Sequence, residues 1–486
     1  MKNVESFYPL SPMQEGMLFD TVYAPAGTGV YVAQISCRLL GEIDLPVFTR
    51  AWQYVVDRHQ ILRTFILWEG VKRPVQVVRR EAALVPELLD WRDVPPEQHE
   101  AHLQTFLAAD RARGFVLAQA PLMRVTCIRL AEDAYQFVWT FHHMALDGWS
   151  VFLVLGEVAA CYEALLRGQS PQLKPTRPYR DYIVWLQQQD AAAAEAFWRA
   201  QVGGITEPTT LGARQGTAGA GVARRKTAEQ QVSLSGAATN ALQTLARTHR
   251  LTLNSIVQGA WALLLSHYSG REQVVFGTTV SGRPAELAGI ETVVGLFINA
   301  IPVRVNVTPD AALLPWLLEL QARHVEARRY EYTPLVQIQG WSEVPRGVMM
   351  FESVLGFHNF PKQVQLDAQG PARARVAMDQ FRAESQISLP LSVNVSPGAE
   401  LLLNMRYDSD YFAEADIRRI LGSFEELLGL IPAHSNATLG EFLALLDAVA
   451  KRQQAAEAEK YEDTMRQKLK GLKRTPRAKS VQQANG

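Results

Sequence analysis

An apolar strand that ends in two adjacent histidines is the feature that most restricts what this chain can fold into. Residues 135–143 have the composition of a buried β-strand, and residues 149–167 have the apolar spacing of a long amphipathic helix. Successive strand side chains point to opposite faces, so only one of His142 and His143 can face a given cavity. The segment therefore predicts a strand, a turn that carries polar groups, and a helix, which is an α/β arrangement.

The length of the chain predicts more than one core. It has 486 residues, of which 48% are hydrophobic, and a single hydrophobic core seldom grows to that size. Apolar spacing predicts a helix from residue 44 that runs into an extended stretch near 61–65, and a strand at 121–130. In the second half it predicts helices within 236–269, 310–330 and 413–430, and strands at 272–280, 297–307, 350–358, 388–396 and 400–407.

Composition changes suggest where the units begin and end. A proline-bearing stretch at 170–178 marks a boundary, so we place a first lobe at 1–175 and a second at 176–450. Residues 203–226 are rich in Gly and Thr and are typical of an exposed loop. From Lys451 onward, ten Lys or Arg residues stand against four Asp or Glu, so 451–486 is expected to be a basic helical or disordered tail, or a linker.

Charge and cysteine content restrict the possible partners and the compartment. The 49 basic and 49 acidic side chains balance, which gives no reason to expect a nucleic-acid partner. No apolar stretch is as long as a membrane span, and residues 1–16 lack the apolar run of a signal peptide. Cys37, Cys127 and Cys161 are widely separated, so we expect neither a disulfide framework nor a cysteine metal site, and a cytoplasmic location fits best.

The histidine segment 141–150 carries the candidate chemistry. Asp147 is well placed to accept backbone N–H bonds at a helix start or to pair with an arginine, and Gly148 permits close approach of a substrate to the backbone. A backbone N–H there could stabilise a developing oxyanion. A metal site is disfavoured because adjacent strand residues on opposite faces do not easily share one ion. The sequence contains neither a G-x-S-x-G elbow nor a phosphate-binding glycine loop.

The pattern HHMALDG at 142–148 resembles the HHxxxDG signature of the condensation domains of nonribosomal peptide synthetases. Five further segments resemble that family's motifs in the family's order, and together with the histidine motif they extend the resemblance from residue 5 to about residue 445. They are LSPMQEGMLF at 10–19, RHQILRT at 58–64, YRDY at 179–182 with Trp185, VGLFIN at 294–299 and YDSDYF at 407–412.

The resemblance implies a fold. Family members have two chloramphenicol-acetyltransferase-like lobes arranged in a V-shaped pseudo-dimer, with a tunnel at the lobe interface. Segments of the second lobe cross onto the first, and by position we expect these crossovers near 277–284 and 367–384.

The resemblance also implies an activity and partners. Donor and acceptor peptidyl carrier proteins bring phosphopantetheine arms to opposite ends of the tunnel, and adjacent synthetase domains are further possible partners. The acceptor amine attacks the donor thioester to form an amide bond, and no tightly bound cofactor or metal is expected. His143 is the family's catalytic position, as a base or as a hydrogen-bonding group that holds the amine, whereas His142 is expected to be structural.

Roles for the remaining candidate residues also follow from the resemblance. Asp147, with Gly148, belongs to the catalytic motif and is expected to organise the site through an arginine. Arg283 is favoured as its partner, and Arg63 is the alternative. Trp149, Asn299 and Gln14 are candidate tunnel-lining residues.

The opening motif at 10–19 resembles members that accept a D-configured donor and an L-configured acceptor. Three other functions share parts of this pattern. An epimerization domain would require a glutamate acid/base within its own motifs, which is not found. A heterocyclization domain would replace the histidine motif with paired aspartates. A catalytically silent recruitment module usually loses the histidine motif, which here is intact.

Overall fold

The structure is a computed structural model that describes residues 3–25, 27–212, 226–359, 377–384 and 389–472. It is a mixed α/β protein of two lobes, as the sequence predicts, and each lobe is built on its own sheet. Part of the predicted loop at 203–226, part of the predicted crossover at 367–384 and the end of the tail from 473 lie outside the described residues.

The first lobe contains five helices and seven strands of its own within the described residues. They are β1 (Val4–Pro9), α1 (Pro12–Tyr23), β2 (Val32–Leu40), α2 (Leu45–Arg58), β3 (Thr64–Leu67), β4 (Val75–Arg79), β5 (Glu87–Asp90), α3 (His99–Arg113), β6 (Met123–Ala131), β7 (Ala134–His142), α4 (Gly148–Leu166) and α5 (Arg180–Gln187).

The second lobe comprises the remaining described helices and strands. They are α6 (Ala191–Val202), β8 (Thr227–Leu234), α7 (Gly236–Thr248), α8 (Leu253–Ser269), β9 (Gln273–Val280), β10 (Asn299–Asn306), α9 (Leu313–Arg328), α10 (Leu335–Gly340), β11 (Ser353–Phe357), β12 (Ala377–Glu384), β13 (Leu391–Ser396), β14 (Leu401–Asp408), α11 (Glu414–Leu430) and α12 (Leu439–Leu472).

The main sheet of the first lobe has the strand order β12-β2-β7-β6-β5, and β1, β4 and β3 form a separate small sheet. Strand β7 lies at the centre of the five-stranded sheet and is buried along its whole length. Asp44 caps the start of helix α2, because its side chain accepts a hydrogen bond from the Val47 amide at 3.0 Å, and the helix buries Trp52 in the lobe core. Helix α4 packs its own apolar side chains into the same core. Together α2 and α4 form the helical layer over the sheet.

Helix α4 is, among the described residues, the one helix whose length and composition would suit a membrane span. Its buried residues, which include Val154, Val158 and Cys161, pack into the core of the first lobe. A core helix of this kind passes the same test of length and composition, so the finding is weak evidence for a span.

The second lobe is built on a six-stranded sheet with the order β10-β9-β11-β13-β14-β8. Strands β9, β11 and β13 run parallel, and the other neighbours are antiparallel. Helix α8 is buried on all sides between this sheet and helices α9, α11 and α12, and Trp261 and Phe424 pack edge to face in that layer. The helices and strands predicted for the second half are all present, within a few residues at their ends.

Two segments of the second lobe cross onto the first, and one of them differs from its predicted position. Strand β9 continues to Val280, which pairs with Asn299 at the start of β10. The excursion therefore comprises residues 281–298, here called the crossing loop, and the predicted range 277–284 was placed too early. The sheet pairing holds residues 277–280 in the second lobe, whereas Ile290 and Phe297 pack into the first-lobe core.

The other crossover is strand β12, which joins the edge of the first-lobe sheet by antiparallel pairing with β2. It lies at the end of the predicted crossover 367–384. Two ion pairs tie β12 to helix α3: Arg382 with Glu100 at 2.5 Å, and Glu384 with Arg111.

The packing of the helices places the boundary between the lobes later than residue 175. Tyr179, Tyr182 and Ile183, at the start of and within α5, belong to the core of the first lobe, whereas Trp198 in α6 belongs to a cluster of the second. The boundary therefore falls between α5 and α6 rather than at residue 175. Proline-rich composition marks a break in regular structure, but it does not show which core the following helix joins.

Helix α12 runs from within the second lobe into the predicted tail, and its last core side chains are Leu446 and Val449. Beyond them, the exposed Arg452 pairs with Glu426 and Gln453 accepts a hydrogen bond from Ser423. Deleting residues 452–486 is therefore expected to leave one cooperative unfolding transition, with a loss of no more than about 2 kcal/mol because exposed ion pairs and single hydrogen bonds contribute little. Urea unfolding followed by circular dichroism measures this, and loss of the cooperative transition would contradict it.

Candidate active site at the lobe interface

The histidine segment forms a tight turn between β7, which ends at His142, and α4, which begins at Gly148. The His143 amide donates to the carbonyl of Tyr31 at 2.8 Å, and the Ala145 amide donates to the carbonyl of His142 at 3.0 Å. Tyr31 has a φ of 55°, which non-glycine residues rarely adopt. The turn is thus fixed by backbone contacts to the segment that leads into β2.

Gln14 supports the turn from helix α1. Its side-chain amide donates to the carbonyl of Met144 at 2.8 Å and to the side chain of Gln76 at 3.0 Å. Its side-chain oxygen accepts from the Ser11 amide, which completes a capping box at the start of α1. Gln14 is fully buried, so it holds the turn in place instead of facing a cavity as a lining residue would.

His142 is buried and both of its ring nitrogens have protein contacts. Nδ1 accepts from the Met144 amide at 3.3 Å, and Nε2 lies 3.3 Å from the hydroxyl of Thr21. That hydroxyl donates to the carbonyl of Met17, so it accepts from His142, which is therefore the neutral Nε2–H tautomer. Burial, together with the neighbouring His143, lowers the pKa of His142 to about 3.

His143 is half-buried, and its side chain makes no regular hydrogen bond to another described residue. Burial lowers the pKa of the imidazole, while its own backbone carbonyl and the charge of Asp147 oppose that shift. His143 is therefore neutral near pH 7 and able to accept a proton. Of the two adjacent histidines, the second is the one whose ring is not used by the protein to hold the turn.

Asp147 joins the two lobes. One carboxylate oxygen accepts from the Ser150 amide at 2.8 Å and from the guanidinium of Arg283 at 3.3 Å. The other accepts from the Phe297 amide at 3.0 Å, and the Asp147 amide donates to the carbonyl of Gly295 at 3.1 Å. Asp147 thus caps helix α4 and holds the crossing loop, so its carboxylate is occupied by protein groups.

Arg283 reaches this carboxylate from the crossing loop and is itself almost completely buried. Its guanidinium also donates to the carbonyls of Ile290 and Val293, at 2.7 and 2.8 Å, and lies 4.0 Å from the centre of the Phe297 ring. Burial lowers the pKa of Arg283, and the ion pair with Asp147 opposes that shift. The guanidinium is thus paired and hydrogen-bonded, as a buried charge requires.

The hydroxyl of Ser150 is a third member of this contact. It donates to the carbonyl of Gly295 at 2.8 Å and accepts from the Gly295 amide and from Arg283, both at 3.0 Å. Two glycines make the approach possible. A Cβ on Gly295 would lie 2.1 Å from the Tyr179 ring, and a Cβ on Gly282, whose φ is 61°, would lie 1.8 Å from the carbonyl oxygen of Phe297.

The structure pairs Asp147 with Arg283 and does not pair it with Arg63. Arg63 forms an ion pair with Glu5 at 2.7 Å and donates to two backbone carbonyls at the end of β4, so its guanidinium is occupied elsewhere. The alternative prediction for Arg63 was wrong for this reason.

The remaining candidates lie around the crossing loop. Trp149 is half-buried, and its indole N–H donates to the carbonyl of Glu291 at 2.9 Å. Asn299 uses its side-chain amide to donate to the carbonyls of Glu331 and Thr333, at 2.7 and 2.8 Å, although it also lines a small cavity with Tyr182 and Pro334. Gly148 is the first residue of α4, where backbone N–H groups have no partner within the helix.

Sequence reasoning missed Ser150, Gly295 and Tyr31 as parts of this site. Ser150 lies three residues after Asp147, at the N3 position of α4, and this spacing is a recognisable signal for a capped helix start. The strained φ of Tyr31 has no equivalent signal. Among the described residues, no three His, Cys, Asp or Glu side chains are grouped closely enough to hold a metal ion.

Comparison with known proteins identifies the family. A family model described as "Condensation domain" matches residues 4–454, so the chain belongs to the condensation-domain family. One of the linear gramicidin synthase polypeptides of Brevibacillus parabrevis is 42% identical over 453 residues, which cover 93% of this chain and 9% of that relative. The chain therefore spans only a small part of that curated relative.

Solved structures show the same fold. The first condensation domain of the calcium-dependent antibiotic synthetase, in complex with a substrate analogue, has a TM-score of 0.74 and 18% identity, covering 90% of this chain and 99% of that one. The X-domain from teicoplanin biosynthesis has a TM-score of 0.75 and 22% identity, covering 89% and 96%. At these identities the likeness concerns the fold alone, and it confirms the two-lobe architecture.

The buried pair Asp147–Arg283 is expected to show strong energetic coupling. Replacing either residue by Ala should destabilise the protein by about 3–5 kcal/mol, because the other charge is left buried without its partner. The double variant should cost clearly less than the sum. Urea unfolding of the four proteins measures the coupling. Arg382→Ala and Glu100→Ala are the matched control, a half-exposed pair between the lobes that should contribute no more than about 1 kcal/mol. Additive losses at Asp147 and Arg283 would contradict the proposed contact.

His142 is expected to make stability depend on pH. Its pKa falls from 6.5 to about 3 on folding, so the unfolded chain binds a proton that the folded chain does not, and stability falls as pH drops below about 6.5. The free energy of unfolding of the wild type, relative to His142→Gln, should decrease by about 2 kcal/mol between pH 7 and pH 5. Urea unfolding across this range measures it, with His102→Gln as an exposed control. Parallel pH profiles for wild type and His142→Gln would rule the effect out.

Proposed function

We propose that this chain forms an amide bond between a donor acyl or peptidyl thioester and the amine of an acceptor aminoacyl thioester, in nonribosomal peptide synthesis. Both substrates are held on phosphopantetheine arms that donor and acceptor carrier proteins deliver. Membership of the condensation-domain family supports this reaction. The observation that carries the proposal concerns the two adjacent histidines. His142 is buried and uses its ring to hold the turn, whereas His143 is half-buried and its imidazole is not used in this way.

The reaction requires the movement of one proton. The acceptor nitrogen attacks the donor carbonyl carbon, a C–N bond forms, the C–S bond breaks, and the amine proton finally resides on the thiol of the donor arm. A free α-amino group has a pKa of about 7.7–8.0, so much of it is already nucleophilic near neutral pH. A strong base is therefore not required for the attack itself.

His143 then has two possible roles, as the group that accepts the amine proton or as a hydrogen-bonding group that holds the amine. A positioned acid or base typically contributes roughly 10²–10⁴-fold, whereas holding two reactants together gives effective concentrations of about 10⁵–10⁸ M. We expect positioning to be the larger contribution. The backbone N–H groups of Gly148 and Trp149 are candidate donors to the oxyanion, because they precede the helical hydrogen-bonding pattern and the next amide, that of Ser150, already donates to Asp147.

Asp147 and Arg283 act as positioning residues in this proposal. Their side chains contact each other and the crossing loop, so they hold the turn that carries His143 instead of touching the substrates. The reaction is placed in the cytoplasm, in keeping with the three buried free thiols Cys37, Cys127 and Cys161. The opening motif supports a D-configured donor and an L-configured acceptor.

The test is reconstitution with two carrier proteins, one loaded with a panel of L- and D-aminoacyl donors and one with an acceptor amino acid. Condensed product is measured by intact-mass spectrometry. His143→Ala should lower the rate by about 10²–10⁴-fold, and His102→Ala, an exposed histidine on α3, is the matched control. His143→Gln should keep part of the activity if hydrogen bonding is the main role, and little of it if proton transfer is.

The outcomes separate the alternatives. Product that depends on His143 supports condensation, and preference for the D-donor supports the proposed subtype. Epimerized donor without a condensed product would indicate the epimerization alternative. No product with any donor, from a protein that unfolds cooperatively, would contradict the proposed reaction and favour a recruitment module.

A further inference from the structure

Helix α1 holds the two residues on either side of His143. The Thr21 hydroxyl accepts from Nε2 of His142 at 3.3 Å, and the Gln14 side-chain amide donates to the carbonyl of Met144 at 2.8 Å. About two helical turns separate the two α1 residues, so the same face of the helix makes both contacts. His143 is linked to α1 as well, through a residue that directly precedes β2.

That residue is Tyr31, which joins His143 to α1 through its two ends. Its backbone carbonyl accepts from the His143 amide at 2.8 Å, and its hydroxyl donates to Oδ2 of Asp20, on α1, at 2.7 Å. Burial raises the pKa of the Tyr31 phenol and Asp20 raises it further, so the hydroxyl stays protonated and is the donor. One residue thus links the backbone of His143 to α1.

Tyr31 occupies a turn position that normally favours glycine. The Val32 amide donates to the carbonyl of Gly29 at 3.0 Å, which closes a four-residue turn with Tyr31 as its third residue. The φ of Tyr31, 55°, is a left-handed conformation that Gly or Asn adopts at this position with less strain. A tyrosine held in such a conformation motivates the hypothesis that its side chain has a function.

The ring of Tyr31 lies where α1 meets the histidine turn. It is half-buried and packs against an apolar cluster that includes Met17 of α1 and Met144 of the turn. Its centre is 6.4 Å from that of the His142 ring, and the two rings are inclined by 56°. The ring is thus packed between the two elements that its polar ends join.

We propose that Tyr31 is a positioning residue of the condensation reaction, which fixes the backbone of His143 relative to α1 and so fixes where the imidazole meets the acceptor amine. This inference rests on the proposed condensation function. Asp20 is the second member of the link, because it holds the Tyr31 hydroxyl. Both residues act through His143, not through contact with the substrates.

The expected effect follows from the steep dependence of reaction rates on the geometry of the reacting groups. A displacement of about 1 Å can lower a rate by up to about 10²-fold. When the Tyr31 hydroxyl is removed, the direct contacts of α1 with His142 and Met144 remain, so the displacement of His143 should be small. We therefore expect kcat to fall by about tenfold, with KM for the acceptor changed by less than about twofold.

Three variants separate the side chain of Tyr31 from its backbone conformation. Tyr31→Phe removes only the hydroxyl. Asp20→Leu removes the acceptor of that hydroxyl without changing the strained residue, and it keeps the test valid if a change at Tyr31 prevents folding. Tyr31→Gly removes the whole side chain and suits a φ of 55° better than Tyr does. Each should lower kcat by at least about tenfold in reconstituted condensation.

A conservative variant and a control complete the series. Asp20→Asn should keep at least about half of the wild-type kcat, because a carboxamide oxygen still accepts from a tyrosine hydroxyl. Tyr54→Phe is the matched control. It removes a hydroxyl of the same lobe whose contact, with the carbonyl of Pro171 at 3.4 Å, involves no residue of the histidine turn. Its kcat should equal that of the wild type.

A second measurement reports on His143 without turnover. The ring signals of protein labelled with ¹³C-histidine are titrated by NMR, and the His143 signal is assigned by its absence from His143→Ala. Burial lowers the pKa of His143, so a turn that is held less firmly should expose the ring and raise that pKa toward 6.5. We expect this rise in Tyr31→Phe and Asp20→Leu, and no change in Tyr54→Phe.

Three results would overturn the role of Tyr31: wild-type kcat in both Tyr31→Phe and Asp20→Leu, full activity in Tyr31→Gly, or an unchanged His143 pKa in both Tyr31→Phe and Asp20→Leu. Full activity in Tyr31→Gly would mean that only the backbone conformation of residue 31 matters. Failure of the proposed reaction would appear differently, as a wild type that forms no product while the His143 pKa still rises in these variants. The two failures are therefore distinguishable.

Discussion

The contact of Asp147 with Arg283 joins a turn of the first lobe to a loop that leaves the second, and it does so in the interior. Asp147 caps α4 and accepts hydrogen bonds from the Arg283 guanidinium and the Phe297 amide, so the start of α4 and both ends of the crossing loop meet at one carboxylate. A buried charge is tolerated only when it is paired and hydrogen-bonded, and either partner left alone would be costly. The orientation of the histidine turn therefore depends on the presence of the second lobe.

The residues of the histidine turn have different structural roles although they are close in sequence. His142 and Asp147 have their polar atoms committed to protein groups, and Gln14 holds the turn from α1. Among these residues, only His143 has a ring nitrogen, Nδ1, without a hydrogen-bond partner in the described structure. Because its neighbours fix the backbone, the ring of His143 can be held in one place without being used for structure, which suits a group that must handle a proton or hold an amine.

Much of the fold could be predicted because apolar periodicity is local. The spacing of apolar residues gave the positions of β7, α4, α8 and α11, and the motif order gave the family. Strand β8 was missed because its exposed positions are polar and it lies at the edge of its sheet. The start of the crossing loop was predicted too early in the sequence. The end of β9 is determined by pairing with β10, about twenty residues away in sequence.

The site was predicted less completely than the fold. The ion pair of Asp147 was reduced to two candidates, and choosing between Arg283 and Arg63 required knowing that Glu5 already neutralises Arg63. His358 follows β11 and Asn394 lies on β13, and their side chains come within 2.8 Å only after these strands pair, so neither spacing nor composition indicates that they are neighbours.

The most direct test of the account is amide hydrogen exchange in Ser150→Ala, because Ser150 is the smallest side chain that bridges the two lobes at this contact. The amides of Asp147, Gly295 and Phe297 bond only across the lobe interface in the described structure. The account predicts that all three lose protection together in the variant, while amides within α4 and β10 keep theirs. Loss of protection confined to Gly295, with Asp147 and Phe297 unchanged, would show that the turn and the crossing loop are held independently and would contradict the account.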